Sequence, residues 1–396
     1  MKIHVLARVT PAVLAVVDII EDYYSLNWAE RYSEVGDFEL ELPIEYVLSS
    51  TVVFDNFLYI ADSDKVMLIE DIKPSFGEEN SSLLIKGQSS ECLLKRRILL
   101  NPINVDGVAE TIIYTLVTDN IIGAVDISRR MGLFTSEFPE VSTSETFEEQ
   151  LEMQSLYNAV KTICKSTGLG FKVVNNDNNK LAFSVYKGID RSYDQEINPY
   201  VIFSDDFDNV ISSSFYESEK DKINIVLVAT DDRVPALQRV FVWEEGIAEP
   251  EYQKRRETIL ETKIERIIGE QPPDKTTTEI TTPTLGIIGK VCLDAIGIIT
   301  TPTIELSTYI PPLTDSEVLG IITTRGRQLI EENKLVGLFE GDFDIQGNFK
   351  YGVDFFMGDV VQCNLEGRNV KARIIELVRS YSTKGEKSYV AMDFII

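Results

Sequence analysis

One histidine and four cysteines are the chain's only imidazole and thiol groups. The histidine, His4, sits in the alternating stretch "KIHVLARV". A single imidazole allows no multi-histidine metal centre and no HExxH pair, and a Ser-His-Asp triad would have to draw on the first strand. His4 therefore reads as a strand residue without a chemical role. Cys92, Cys164, Cys292 and Cys363 lie far apart with no CxxC spacing, the pattern of scattered buried thiols and not of a zinc knuckle or redox motif. "FSDDFDN" at 203–209 gathers Asp205, Asp206 and Asp208, hard oxygen donors that suit calcium. It lacks the ligand order of an EF-hand, and a solvated turn before a strand is the simpler reading. "EGDFDIQG" at 340–347, with Asp342 and Asp344, is open to the same two readings. With 64 acidic residues a glycosidase-type carboxylate pair is easily drawn by chance. Trp28 and Trp243, the two tryptophans that could serve as sugar platforms, each sit inside a strand-like run. No GxxxxGK[ST], GxGxxG or GxSxG is present. The expectation is no catalytic residue, no cofactor and no metal.

The formal charge is −26. Such a surface repels nucleic acid and anionic membrane over a screening length of roughly 8 Å at physiological salt. Arg96–Arg97 and Arg255–Arg256 are isolated pairs, suited to ion pairing in so acidic a chain, and no basic patch interleaved with aromatics stands out. In "GDFELELPI" (36–44), Phe38, Leu40 and Leu42 point one way from an extended chain while Asp37, Glu39 and Glu41 point the other. No run of 18 or more apolar residues could span a bilayer as a helix. The start, "MKIHVLARVTPAVLAVVDII", alternates, carries Arg8 and Asp18, and has no cleavage site after a clean apolar block. No signal peptide is expected, and folding in a cytoplasm is.

The elements that must position these residues divide the chain of 396 residues into blocks. Residues 1–103 read as a nearly continuous series of short strands: "KIHVLARV", "AVLAVVDI", "YYSLNWAERY", "DFELELPI", "NFLYIAD", "DKVMLIEDIKPSF" and "SSLLIKGQS", closed by a helical turn in "SECLLKRRIL". Strands at this spacing predict a barrel or sandwich. Residues 104–203 read as an α+β insert. One helix in "DGVAETIIYTLVTDNI" presents Val108, Ile112 and Leu116. A second, in "ETFEEQLEMQSLYNAVKTICKSTG", presents Leu156, Val160 and Ile163 and stops at Gly168, before a hairpin with an Asn/Asp turn. Strands return over 204–268. Residues 269–335 hold a Thr/Ile/Pro-rich, irregular insert and then a helix, "LTDSEVLGIITTRGRQLIEENK". Thr314 and Glu317 form its capping-box pattern and Leu319, Ile322 and Leu329 its apolar side. Gly320 and Gly326 within it imply close packing. Strands resume over 336–396, in "FKYGVDFF", "DVVQCNL", "NVKARIIELVRSYS" and "SYVAMDFII". The fold class is β-rich α+β, with two all-β units separated by other material.

Three stretches read together carry a likeness to a known family: "DYYSLNWAERYSEVGDFELELP" (22–43), "LLIKGQSSECLLKRRIL" (83–99) and "YGVDFFMGDVVQC" (351–363), the last followed by "ARIIELVRSYSTKGEKSYVAMDF". "LAFSVYKGIDRS" (181–192), "FSDDFDNVISSSFYESEKDKINIVLV" (203–228) and "RRETILETKI" (255–264) fall in the same order. The combination resembles the Gp37-like tail proteins of siphophages, part of the wider baseplate-hub family of long-tailed phages. No single stretch is diagnostic; their order carries the resemblance. The stretch 269–313 departs from it, being longer than the family's usual connection.

The resemblance implies a non-enzymatic structural hub at the tail tip of a virion. Each subunit would carry two tail-tube-like β-barrels, so that a homotrimer offers six of them to the sixfold tail tube and distal tail protein above. A threefold fibre or spike would join below, and viral DNA would pass through without specific binding. Asp37, Glu39 and Glu41 are then candidates to line the lumen, where like charge keeps DNA from adsorbing; a solvated outer face is the alternative. Ile287, Ile288, Ile298 and Ile299 are candidates for a channel plug, or for packing against the second β unit or a neighbouring subunit. Two rival readings are a tail-associated carbohydrate-active or wall-degrading enzyme, and the hub of a contractile injection system.

Overall fold

Alternation in the first hundred residues becomes seven strands: β1 (Ile3–Thr10), β2 (Val13–Ile20), β3 (Ser25–Arg31), β4 (Asp37–Pro43), β5 (Phe57–Ile60), β6 (Val66–Ser75) and β7 (Ser82–Ser89). A 3-10 turn, Ser90–Arg96, follows them. In this computed structural model the residues described are 1–77, 81–138, 143–207, 209–244, 246, 248–250, 254–266, 312–333, 336–343, 348–365, 368–382 and 385–395. Cys292, Ile287, Ile288, Ile298, Ile299, Asp208 and Asp344 lie outside them, as do residues 267–311 of the Thr/Ile/Pro-rich insert.

The insert contains β8 (Ile103–Val108), α1 (Ala109–Val117), β9 (Phe134–Ser136), β10 (Thr146–Leu151), α2 (Leu156–Thr167), β11 (Gly170–Asn175) and β12 (Leu181–Tyr186). Then come β13 (Ile202–Ser204), β14 (Val210–Ser218), β15 (Ile225–Thr230), β16 (Arg239–Trp243), β17 (Glu257–Thr262), α3 (Asp315–Glu332), β18 (Val336–Phe343), β19 (Val360–Leu365), β20 (Arg368–Ser382) and β21 (Gly385–Ile395).

One sheet runs through both ends of the chain, in the order β14-β18-β21-β20-β3-β4-β7-β6-β5-β1-β2, with β19 on β20 and β13 on β19. The pairing of β20 with β3 fuses its two halves: Val378 lies opposite Ala29 and Tyr381 opposite Leu26. No closed barrel is found among the described residues, since β2 pairs only with β1 and β14 only with β18. The N-terminal half curls round Trp28, Phe38, Leu40, Leu42, Leu58 and Ile85, all nearly or wholly buried. The C-terminal half packs round Phe203, Val361, Ile374 and Met392. The opposite face of β1 and β6 buries Leu6, Val66 and Leu68 against the insert, whose α1 and α2 contribute Ile113, Val117, Val160 and Ile163.

Tyr32, just after β3, joins three parts of the fold. Its backbone N–H donates to Ile375 O at 3.0 Å, and its carbonyl accepts from Phe171 N at 3.2 Å. Its hydroxyl donates to Gly168 O at 3.0 Å and accepts from Gly188 N at 3.2 Å. The ring presses on Gly358, whose φ of +90 is left-handed and where a Cβ would fall 2.1 Å from the ring. Only glycine meets both conditions.

Several local expectations need correction. β8 and β10 pair antiparallel, so "TFEEQL" is a strand and not the start of the second helix. Burial alternates over its first four residues, with Phe147 and Glu149 inside and Thr146 and Glu148 outside, and both Gln150 and Leu151 are buried at its end. α2 starts at the cap Ser155, which accepts from Asn158 N at 3.1 Å, and ends at left-handed Gly168 (φ 65). On α1 the buried residues are Ala109, Glu110, Ile113, Tyr114, Leu116 and Val117, with Ile112 partly buried against the same core; of the expected face only Val108 falls outside the helix, closing β8. "FKYGVDFF" is a tight loop bridged by Tyr351 and Phe355, with Gly352 at φ 84. Within 204–268, only β13 and β14 belong to the large sheet; β16-β15-β17 form a separate sheet. That sheet packs on α3 through Val226, Val228, Val318, Ile321 and Ile322. The Thr314–Glu317 capping box is present. Leu319, expected on the apolar side, is 43% exposed, because the packed row is Val318, Ile321, Ile322 and Ile330.

A polar sheet face as candidate functional site

Asp37, Glu39 and Glu41 leave β4 on one side, while Phe38, Leu40 and Leu42 on the other are 2%, 0% and 0% exposed. Register extends this polar row across the fused sheet. Glu39 lies opposite Asn27 of β3 and Lys86 of β7, and Glu41 opposite Ser25 and Leu84. Beyond β3, Asn27 faces Ser380 and Ser25 faces Ser382 on β20. The face thus spans the junction of the two β halves, with small hydroxyl and amide side chains at its centre and acids on β4.

The acids are less free than the sequence implies. Lys86 Nζ meets Glu39 Oε2 at 2.5 Å, and Arg31 bridges Asp37 at 2.5 Å and Glu376 at 2.7 Å. The hydrogen bond to Glu39, and then its charge, raise the Lys86 ammonium above its ordinary value. No ion pair is formed by Glu41 with a described residue. Such exposed pairs contribute about 1 kcal/mol or less. They restrain the carboxylates and leave the face mixed in sign. Lys86 was legible as the outward residue of "LLIKGQS"; its partnership with Glu39 was not, because the two are brought together only by the β4–β7 register.

Beneath this face, Arg379 Nη1 donates to Glu30 Oε1 across the β20–β3 junction, with both side chains buried. The Arg379 guanidinium also stacks on Tyr351, 5.4 Å from the ring centre. An ion pair with both members desolvated is costly to break singly.

Elsewhere the candidates for chemistry are occupied by structure. Burial pushes the Cys92 thiol up to about 12 and Cys363 likewise to about 12, and raises Cys164, so none is a ready nucleophile. His4 lies beside Tyr59 in β1. Asp205 and Asp206 form a short turn in which Asp206 N donates to Ser204 Oγ at 3.2 Å. Among the described residues no group of three His, Cys, Asp or Glu side chains is placed to hold a metal. A groove of about 1150 Å³ runs between α2, α3 and the end of β3. Its Glu34 is held below the ordinary carboxylate range: burial opposes this, but Lys165 and Lys161 outweigh it. A glycosidase acid requires the opposite shift.

The family described as siphovirus ReqiPepy6 Gp37-like protein matches over residues 7–392. The chain belongs to this family. No curated protein matches the sequence. The fold of this Gp37-like chain is similar to that of three solved structures. These are a tail protein from Neisseria meningitidis (9% identity, 99% of this chain and 96% of that one, TM-score 0.53), prophage tail protein gp18 from Listeria monocytogenes (9%, 99% and 94%, 0.52) and the 43 kDa tail protein of prophage MuSo2 from Shewanella oneidensis (11%, 99% and 98%, 0.52). At these identities the likeness is one of fold.

Proposed function

We propose that the chain is a structural hub of a phage tail tip: a homotrimer that joins the sixfold tail tube and distal tail protein to a threefold fibre or spike. The observation that carries this reading is the β20–β3 pairing, which places two β halves side by side in one sheet and, among the described residues, leaves the outer edges of β2 and β14 without a strand. Among the described residues Val16, Val17 and Ile19 on β2 are 53%, 41% and 42% exposed, and Tyr216 on β14 is 57% exposed. An apolar open edge recruits another strand, and three copies meeting edge to edge would offer six similar β units around one axis. Family membership and the tail proteins of like fold support the same reading.

In such a ring the polar face carrying Asp37, Glu39 and Glu41 lines the lumen, and its scarcity of unpaired cations lets DNA pass without adsorbing. The stretch that contains Ile287, Ile288, Ile298 and Ile299 plugs that channel or packs on a neighbouring subunit. Deletion of 280–310 separates the two: leaky but assembled tails mean a plug, and loss of trimers means packing. The deciding experiment is the mass of the full chain in solution and on purified tails. Three copies of the 44.7 kDa chain are expected. A monomer on mature particles would overturn the hub.

A further inference from the structure

In a chain with 26 more acidic than basic residues, five arginines gather at one place. Arg8 on β1, Arg96 and Arg97 after the 3-10 turn, and Arg130 line a pocket of about 600 Å³, with Arg129 directly beside it. Asp55 is the one carboxylate among the described lining residues, and it meets Arg96 at 3.0 Å while itself lying largely in solvent. The other guanidiniums are held by neutral acceptors. Arg97 donates to the carbonyls of Arg129 at 2.7 Å and Arg96 at 2.8 Å, and Arg130 donates to that of Ala124 at 2.7 Å. Arg129 donates to Ile98 O at 2.6 Å and Asn120 Oδ1 at 3.0 Å. Arg8 is exposed, and its side chain has no hydrogen bond or ion pair with a described residue. Burial first, and then the charges of Arg129 and Arg96, push the Arg97 guanidinium below its ordinary value. The cluster therefore carries uncompensated positive charge.

The surroundings are apolar. Phe57, Leu68, Leu93 and Phe134 form buried lining, and the adjoining chain exposes Ile98 (55%), Leu100 (56%), Val125 (97%) and Ile127 (74%). A polyanion tracks a long basic stripe with aromatic platforms, whereas this site is compact, apolar-rimmed and set in a strongly acidic molecule. Arginine forks flanked by exposed aliphatic side chains suit carboxylates carried on a peptide beside apolar residues.

We propose that the pocket between the β1–β2 hairpin, the Ser90–Arg96 turn and the insert is a docking site for an acidic, apolar-containing peptide segment of another protein. The site does not depend on the hub reading. The Arg8 fork is free to close on a carboxylate, and Arg96, held only by the exposed Asp55, can exchange that partner for another.

The test is a selection of short random peptides against the full chain, followed by affinity measurement with fluorescein-labelled winners. Binders rich in Asp and Glu with interspersed Leu, Ile or Phe are expected. Arg8→Glu, with unchanged melting of the chain, and Arg130→Glu should each weaken them at least about tenfold, and added salt should weaken them too. Arg256→Glu, in the distant basic pair, should leave binding unaltered. A lack of acidic enrichment, or winners indifferent to Arg8→Glu, would overturn the proposal. So would a short DNA duplex binding these arginines more tightly than any peptide. Arg130→Glu changing only the self-association of the chain would assign the pocket to a second copy and overturn it likewise.

Discussion

Replacing Arg379 by methionine tests whether the β20–β3 junction holds the two β halves together. Arg379 and Glu30 are 8% and 4% exposed, and Arg379 is the hydrogen-bond partner that Glu30 has among the described residues. With the guanidinium gone, the Glu30 carboxylate is left desolvated and unpaired beneath the sheet, a cost of about 3–5 kcal/mol. At a urea slope of about 2 kcal/mol/M the midpoint falls by about 2 M. Trp28, buried opposite Arg379 in the ladder, reports this unit directly once Trp243→Phe removes the other tryptophan. The double substitution Glu30→Leu with Arg379→Met replaces both charges by apolar groups and should return stability to within about 1 kcal/mol of the parent. If the single variant loses less than about 1 kcal/mol, the pair behaves as a surface ion pair and the junction argument fails.

Gly326→Ala should destabilise the unit of α3 and its small sheet by up to about 2 kcal/mol. A Cβ there lies 2.7 Å from Val242 Cβ, and overpacking of about 1–3 kcal/mol outweighs a helix-propensity gain of about 1. Adding Val242→Ala should recover the loss; calorimetry reads both, and a stabilised single variant would contradict the close packing. In the same unit Asp232 accepts from Arg266 at 2.6 and 3.0 Å, and Arg266 also meets Asp315 at 2.7 Å. Those hydrogen bonds hold the Asp232 carboxyl below its ordinary 3.8. A depressed folded value stabilises above about pH 4 and the contribution disappears as pH falls through that value. Trp243 fluorescence during acid titration should therefore show a steeper loss in the parent than in Asp232→Asn, and equal slopes would refute the assignment.

Element identity was legible wherever local period and burial coincide. All seven N-terminal strands lie where the β-branched and aromatic runs between turn residues put them, and the Thr314 cap fixes one helix start. Legibility failed where one local pattern fits two structures. "TFEEQL" carries both a helical composition and a period of two, and its pairing with β8 decides for strand. On α3 the spacing pointed to Leu319, Ile322 and Leu329, and the small sheet instead packs on the row of Val318, Ile321 and Ile322. The acids of β4 were readable as one face, but the register that brings Lys86 and Arg31 against them was not.

Local residue patterns settle the strands, the Thr314 cap, the acidic surplus and, through the order of the hairpins, the Gp37-like family. Only the tertiary structure decided that β20 adds to β3, that 225–262 leaves the large sheet, and that arginines from 8, 96–97 and 129–130 converge. The reason is physical. Backbone hydrogen bonds that join strands are the same for every residue type, so the choice among distant partners is made by the burial of whole faces at once, which no local stretch encodes.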